Sequence, residues 1–288
     1  MTEIMKPMLL IVTAIVAFGS IIARADAIDT EHLFGFTIGT DIGEVGEKEF
    51  ESNTLSRLGK RAGSYSALSQ ALSLEYTANQ DLRLEVSAAG AYHDIVGVPG
   101  LDGRRRGTFD ALSFDMRYRI VDRSHASFGL MIEAEPHWGR VDEVTGELVD
   151  RYGVDLVLAV DKELVPNRSV AAFNLLYLPE IARSRVTGIW SRQATIGVAT
   201  ALMAQIAPDV FAGIEARYLR SYEGLGLDGF AGHAFFVGPT IYAKLSEGSW
   251  ILFAWNVQAA DRSADDPAPL DLRNFERHQA TLKFGLTF

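Results

Sequence analysis

Charged residues recur two apart in several stretches of this sequence. "FDMRYR" carries Asp115, Arg117 and Arg119, "EAEPH" carries Glu133, Glu135 and His137, "YGVDLV" carries Asp155, and "IEARY" carries Glu215 and Arg217. A spacing of two puts such side chains on one face of a β-strand. Opposite signs on neighbouring strands can do two things. They can pair across the sheet and hold it together, or they can line a constriction that selects solutes by charge and size. Glu133, Glu135 and His137 beside Arg117 and Arg119 form the best candidate for that constriction. Other chemistry is thin. His125 and Ser127 have the spacing of a base and a nucleophile, but no orienting group can be placed behind them, so no catalytic residue is assigned. Arg104, Arg105 and Arg106, in a polar stretch, suit phosphate groups. The six histidines are scattered and there is no cysteine, which leaves no zinc-type spacing. The acidic stretch "DRSADDPAPLDLRN" matches no calcium-loop spacing. No metal and no cofactor is assigned.

The elements that carry these residues read as strands. Apolar residues alternate in stretch after stretch, with period two and not 3.6. Leu112, Phe114, Met116, Tyr118 and Ile120 form one face, with Ser113, Asp115, Arg117 and Arg119 on the other. Phe128, Leu130, Ile132, Ala134 and Trp138 oppose Glu133, Glu135 and His137, and Tyr152, Val154, Leu156 and Leu158 oppose Asp155. Short turns are expected near Asn79, Asp122, Pro166, Pro208 and Glu247, and long polar loops near residues 96–106, 139–147, 181–187, 221–229 and 261–273. Long strands joined by short turns at one end and long loops at the other point to a transmembrane barrel. About eleven strands follow residue 65, and residues 47–58 supply a twelfth; ten and fourteen stay open.

Composition sets outer limits. The chain has 288 residues, 48% of them hydrophobic and 22% charged, too polar for a bundle of membrane helices. A net charge of −10 excludes the basic footprint that nucleic acid needs. The uncharged run "MLLIVTAIVAFGSII", with Lys6 before it and "ARADA" after it, reads as a secretory signal peptide over residues 1–27, with Ile28 as the first mature residue. Residues 28–288 then form one barrel domain. Within it, residues 28–45 are left over from the strand count, to lie in the periplasm or to enter the lumen as a plug.

The chain ends on "TLKFGLTF", with Leu282, Phe284, Leu286 and Phe288 alternating with Thr281, Lys283, Gly285 and Thr287. This ending resembles the C-terminal signal of Gram-negative outer-membrane β-barrels, with Phe284, Leu286 and Phe288 as the residues that the barrel assembly machinery reads. Tyrosines and tryptophans at strand ends fit interfacial girdles. The resemblance spans the whole mature chain as a pattern and singles out no family within the class. It implies an all-β, transmembrane antiparallel β-barrel of about 12 strands in the Gram-negative outer membrane. The expected partners are membrane lipid, lipopolysaccharide at Arg104, Arg105 and Arg106, and the assembly machinery. The barrel is expected to be a monomer and to bind no nucleic acid. The expected function is a narrow channel for passive passage of small hydrophilic solutes. The alternatives are a structural barrel that contacts lipopolysaccharide without an open pore, and a lipid hydrolase using His125 and Ser127.

Overall fold

A computed structural model describes the backbone of residues 28–263 and 269–288, and the expected signal peptide lies outside the described residues. Twelve strands follow in chain order: β1 Lys48–Leu58, β2 Ser64–Asn79, β3 Leu82–Val96, β4 Arg104–Val121, β5 Gly129–Val141, β6 Leu148–Val165, β7 Ser169–Ser184, β8 Trp190–Ala207, β9 Val210–Glu223, β10 Gly229–Ser246, β11 Ser249–Ser263 and β12 His278–Thr287. Each pairs antiparallel with its sequence neighbours, and β12 closes on β1 with Phe50 opposite Leu286 and Thr54 opposite Leu282. Closure leaves no sheet edge, so every backbone ladder in the wall is satisfied.

Alternation decides which side chains face outward. Leu74, Val86, Leu112, Phe114, Ile132, Leu156, Leu202, Ile214, Phe253, Leu282, Phe284 and Leu286 are all exposed on the outer wall. An apolar outer wall of this extent is stable against lipid and not against water. Short turns of two or three residues join β6 to β7 and β8 to β9, where Asn167 and Asp209 take positive φ of 56° and 59°. Asn and Asp tolerate that left-handed conformation.

The strands extend further than the hydrophobic alternation suggests. The connections on the long-loop side are residues 59–63, 97–103, 142–147, 185–189 and 224–228, with the stretch between Ser263 and His278. Polar residues continue the hydrogen-bond ladder beyond the apolar band, because pairing needs only backbone groups. Thus Arg104, Arg105 and Arg106 open β4 and do not form a loop tip. The opposite correction applies at two places. Strand β5 begins at Gly129, with residues 122–128 in the turn, and β12 runs from His278, where a last strand starting at Phe275 is expected from the sequence.

Candidate functional site: the occupied lumen

Residues 28–43 enter the barrel from the end where β1 begins, and Glu44, Val45 and Gly46 are exposed at that end. The segment's anchor points are side chains of the inner wall. Glu215 of β9 is fully buried and accepts three consecutive backbone N–H groups. Gly35 donates at 2.7 Å, Phe36 at 2.9 Å and Thr37 at 2.8 Å. The Thr240 hydroxyl of β10 donates to the same carboxylate at 2.5 Å. Asn174 of β7 binds Ile38 twice, accepting from its N–H at 2.8 Å and donating to its carbonyl at 2.9 Å. Asp161 of β6 accepts from the Thr30 hydroxyl at 2.6 Å and from the Thr40 N–H at 2.8 Å. The Arg217 guanidinium lies 3.9 Å from the Phe36 ring centroid, a cation–π contact. Arg123, in the turn after β4, pairs with Asp41. Burial pushes the Asp41 carboxyl up to about 6 against the pull of Arg123.

The sequence "LFGFTIGT" makes this seat. A Cβ on Gly35 would meet Glu215 Oε1 at 3.1 Å and Thr281 Cγ2 at 3.3 Å, and Ala254 more closely still. Only glycine brings the backbone to the carboxylate. Ile28, Leu33 and Phe34 pack in an apolar pocket of the inner wall made by Val170, Ala172, Ala201 and Met203. Phe36 packs against Trp250, Leu252 and Ala254. The lumen therefore has two unlike sides. From β7 to β11 it is largely small and apolar, and from β1 to β6 it carries most of the charge.

On the charged side Arg117 lies 2.6 Å from Glu133, its cross-strand neighbour, and 3.0 Å from Asp115. His137 lies 3.7 Å from Glu180 and 3.9 Å from Asp155, and Glu135 faces Asp155 across the β5–β6 pair. Arg119 does not join this group. It stands two residues nearer the turn, where it donates to the Gln80 carbonyl and lies 3.8 Å from Asp81. Glu215 and Arg217 are across the lumen with the N-terminal segment. The three arginines that open β4 differ: Arg104 donates inward to the Gly146 carbonyl at 2.8 Å, whereas Arg105, 78% exposed beside Tyr92 and Asp94, and Arg106 are exposed. Arg104 is thus turned away from lipid. His125 is exposed in the turn, with Nδ1 at 2.9 Å from Ser124 Oγ and 3.2 Å from Asp122. It faces Ser124 and Asp122 from that turn, and not the lumen.

Two long connections fold over the other end. Glu143 bridges Arg57 and Arg151 at 2.5 and 2.6 Å. Arg57 foremost, then Arg151, hold its carboxyl well below the ordinary carboxylate range. The Val144 carbonyl accepts from Tyr65 Oη at 3.0 Å. Phe275 packs edge-on against Phe236, ring centroids 6.2 Å apart, and Glu276 pairs with Arg57. Sequence reasoning passed over Asn174, Asp161 and the apolar inner face of β7 and β8. The signal was present: Val170, Ala172, Ala201 and Met203 are apolar where a water-filled lumen calls for polar side chains, so something apolar must cover them.

A closed twelve-stranded antiparallel barrel with an apolar outer band and a polar, occupied lumen is an outer-membrane β-barrel. The chain belongs to a family of unknown function (DUF6662), whose model matches residues 26–288. No curated protein matches it. Among solved structures it is similar to the COG4313 outer membrane channel from Pseudomonas putida F1, at 12% identity and a TM-score of 0.56, covering 86% of this chain and 98% of that one. It is also similar to the translocator domain of the autotransporter NalP from Neisseria meningitidis, at 11% identity and a TM-score of 0.53, covering 86% and 91%. At such identity these likenesses speak for the fold alone.

Proposed function

We propose that this protein is an outer-membrane channel for small hydrophilic solutes, held closed in the state described by residues 28–47 acting as a plug. One observation carries the reading: residues 28–45 are held by side chains of the wall, and backbone pairing with Thr77 of β2 begins only at Gly46 and Glu47. Glu215, Asn174 and Asp161 grip the segment's backbone from three different strands. A segment held this way can leave without breaking the barrel's ladder. Its departure would uncover a lumen with Arg117, Glu133, Glu135 and His137 on its wall, and these residues would set charge selectivity. Arg105 and Arg106, exposed at the outer rim, suit lipopolysaccharide phosphates, and Phe284, Leu286 and Phe288 suit the assembly machinery. The candidate base His125 makes its contacts with Asp122 and Ser124 in an exposed turn.

Planar-bilayer recordings test the proposal. The full barrel is expected to be mostly silent, with rare brief openings. A variant lacking residues 30–44 is expected to give steady, ion-selective steps. A folded, heat-modifiable variant that stays silent would refute the channel and favour a structural barrel.

A further inference from the structure

We infer that Glu31 and His32 of the N-terminal segment, with Glu49 of β1 and Glu75 of β2, form a binding site for a divalent transition-metal cation that ties the segment to the barrel wall. One donor atom from each of Glu31, His32 and Glu75 lies within 4.8 Å of the others. His32 Nε2 is 3.7 Å from Glu31 Oε2 and 3.2 Å from Glu49 Oε1. Closing the donors of Glu31, His32 and Glu75 onto an ion at about 2.0–2.2 Å needs only small side-chain shifts.

The carboxylates are already oriented. Arg83 Nη1 lies 3.0 Å from Glu31 Oε1 and 2.7 Å from Glu75 Oε2. Trp250 Nε1 and Thr287 Oγ1 each donate to Glu49 Oε2 at 3.0 Å. Each acid is thus pinned through one oxygen, and the second oxygens of Glu31 and Glu49 point to His32 Nε2. Glu49 Oε1 and Glu75 Oε1 are buried and accept no hydrogen bond, a costly state for a carboxylate oxygen. His32 stacks on Trp250 with ring centroids 4.3 Å apart and an interplanar angle of 15°, which fixes its imidazole. Outer contacts that orient ligands in this way are the mark of a metal site.

Charge favours a cation. Arg83 is shared by Glu31, Glu75 and Glu85, and Glu49 Oε2 is held only by neutral donors, so negative charge is in excess. A mixed set of carboxylate oxygens and one imidazole nitrogen suits zinc or a related first-row ion. A cavity of about 860 Å³, lined by Glu31, His32 and Glu49 together with Asp29, Glu44 and Glu47, gives a path from the end where β1 begins.

Chelator-stripped barrel, exported and purified in detergent, would be titrated with Zn²⁺ by calorimetry. One equivalent is expected to bind, and His32→Ala and Glu31→Gln are each expected to weaken binding by about tenfold or more. Both changes are on the segment, so heat-modifiable migration should report an intact barrel. Absence of stoichiometric binding, or binding unchanged in both variants, would overturn the site. Equal binding of Ca²⁺ would overturn its assignment to transition metals. The measurement does not depend on solute passage: Zn²⁺ binding by the full barrel, with no conduction by the variant lacking residues 30–44, would sink the channel proposal and leave the metal site standing.

Discussion

Glu215→Gln isolates the grip on the N-terminal segment. The carboxylate serves four donors: Oε1 takes the Gly35 N–H and the Thr240 hydroxyl, and Oε2 takes the Phe36 and Thr37 N–H groups. Glutamine has nearly the same shape but only one accepting oxygen, and its amide nitrogen turns a donor towards donors. Two of the four groups then lose their partner. A buried orphaned donor costs about 1–3 kcal/mol, so the seated state loses about 2–6 kcal/mol relative to a released state in which water satisfies the same groups. At 1.4 kcal/mol per tenfold, even the low end raises the released fraction about 30-fold. The chain contains no cysteine, so Thr37→Cys supplies a single reporter. Thr37 is buried, and its hydroxyl makes no hydrogen bond that the exchange would remove. Labelling of that thiol by a water-soluble maleimide proceeds only from the released state, and its rate in the Glu215→Gln background is expected to rise by that factor. A rate equal to that of Thr37→Cys alone, in a barrel that still migrates as folded, would show that the carboxylate does not hold the segment.

Other perturbations probe neighbouring parts of the argument. Gly35→Val places a side chain against Ala254 and Glu215, and is expected to unseat the segment and raise Thr37→Cys labelling while barrel stability stays unchanged. Alanine at both Arg117 and Glu133, in a barrel lacking residues 30–44, is expected to change ion selectivity measured as a reversal potential; an unchanged potential would remove them from the constriction. Glu143 has its carboxyl depressed by Arg57 and Arg151, so the closure of residues 142–147 should be complete above about pH 4.3, the ordinary glutamate value. It should be lost only as pH falls through the depressed folded value, so current through the barrel lacking residues 30–44 should be flat from pH 7 to 5 and rise only below 4. Phe253→Arg on the outer wall, where the side chain is exposed at mid-strand, should cost about 2–4 kcal/mol in lipid-vesicle unfolding.

The barrel was legible because its information is local. Alternation over a dozen residues needs no knowledge of partners, and Leu282, Phe284 and Leu286 declare their face by themselves. Strand ends were less legible, since hydrophobic contrast stops at the edge of the lipid while backbone pairing continues, as at Arg104–Arg106. The occupied lumen was legible only in part. Glu215 and Arg217 stood out as inward charges, but nothing in their spacing says that one of them meets Gly35, 180 residues away. Glu31, His32, Glu49 and Glu75 come from the segment and two strands, so their convergence has no motif in the chain. Arg119 shows the same limit in reverse: on the same face as Arg117, two residues on, it answers to the turn and not to Glu133.

The unlike halves of the lumen explain why a short segment can occupy it. A wholly charged wall would hold water as readily as it would hold a peptide. A wholly apolar wall would bind a peptide by burial alone and leave its amides without partners. Here Val170, Ala172, Ala201 and Met203 take up Ile28, Leu33 and Phe34, while Glu215, Asn174 and Asp161 satisfy the backbone that those contacts bring in. Burial supplies attraction and the three polar side chains set register. Register matters because shifting the segment by one residue takes glycine out of the place where only glycine fits, at Gly35. The seat is therefore specific to one stretch of chain. The charged half, from β1 to β6, pairs largely within itself, as Arg117 does with Glu133, so most of its ion pairs would survive the segment's departure.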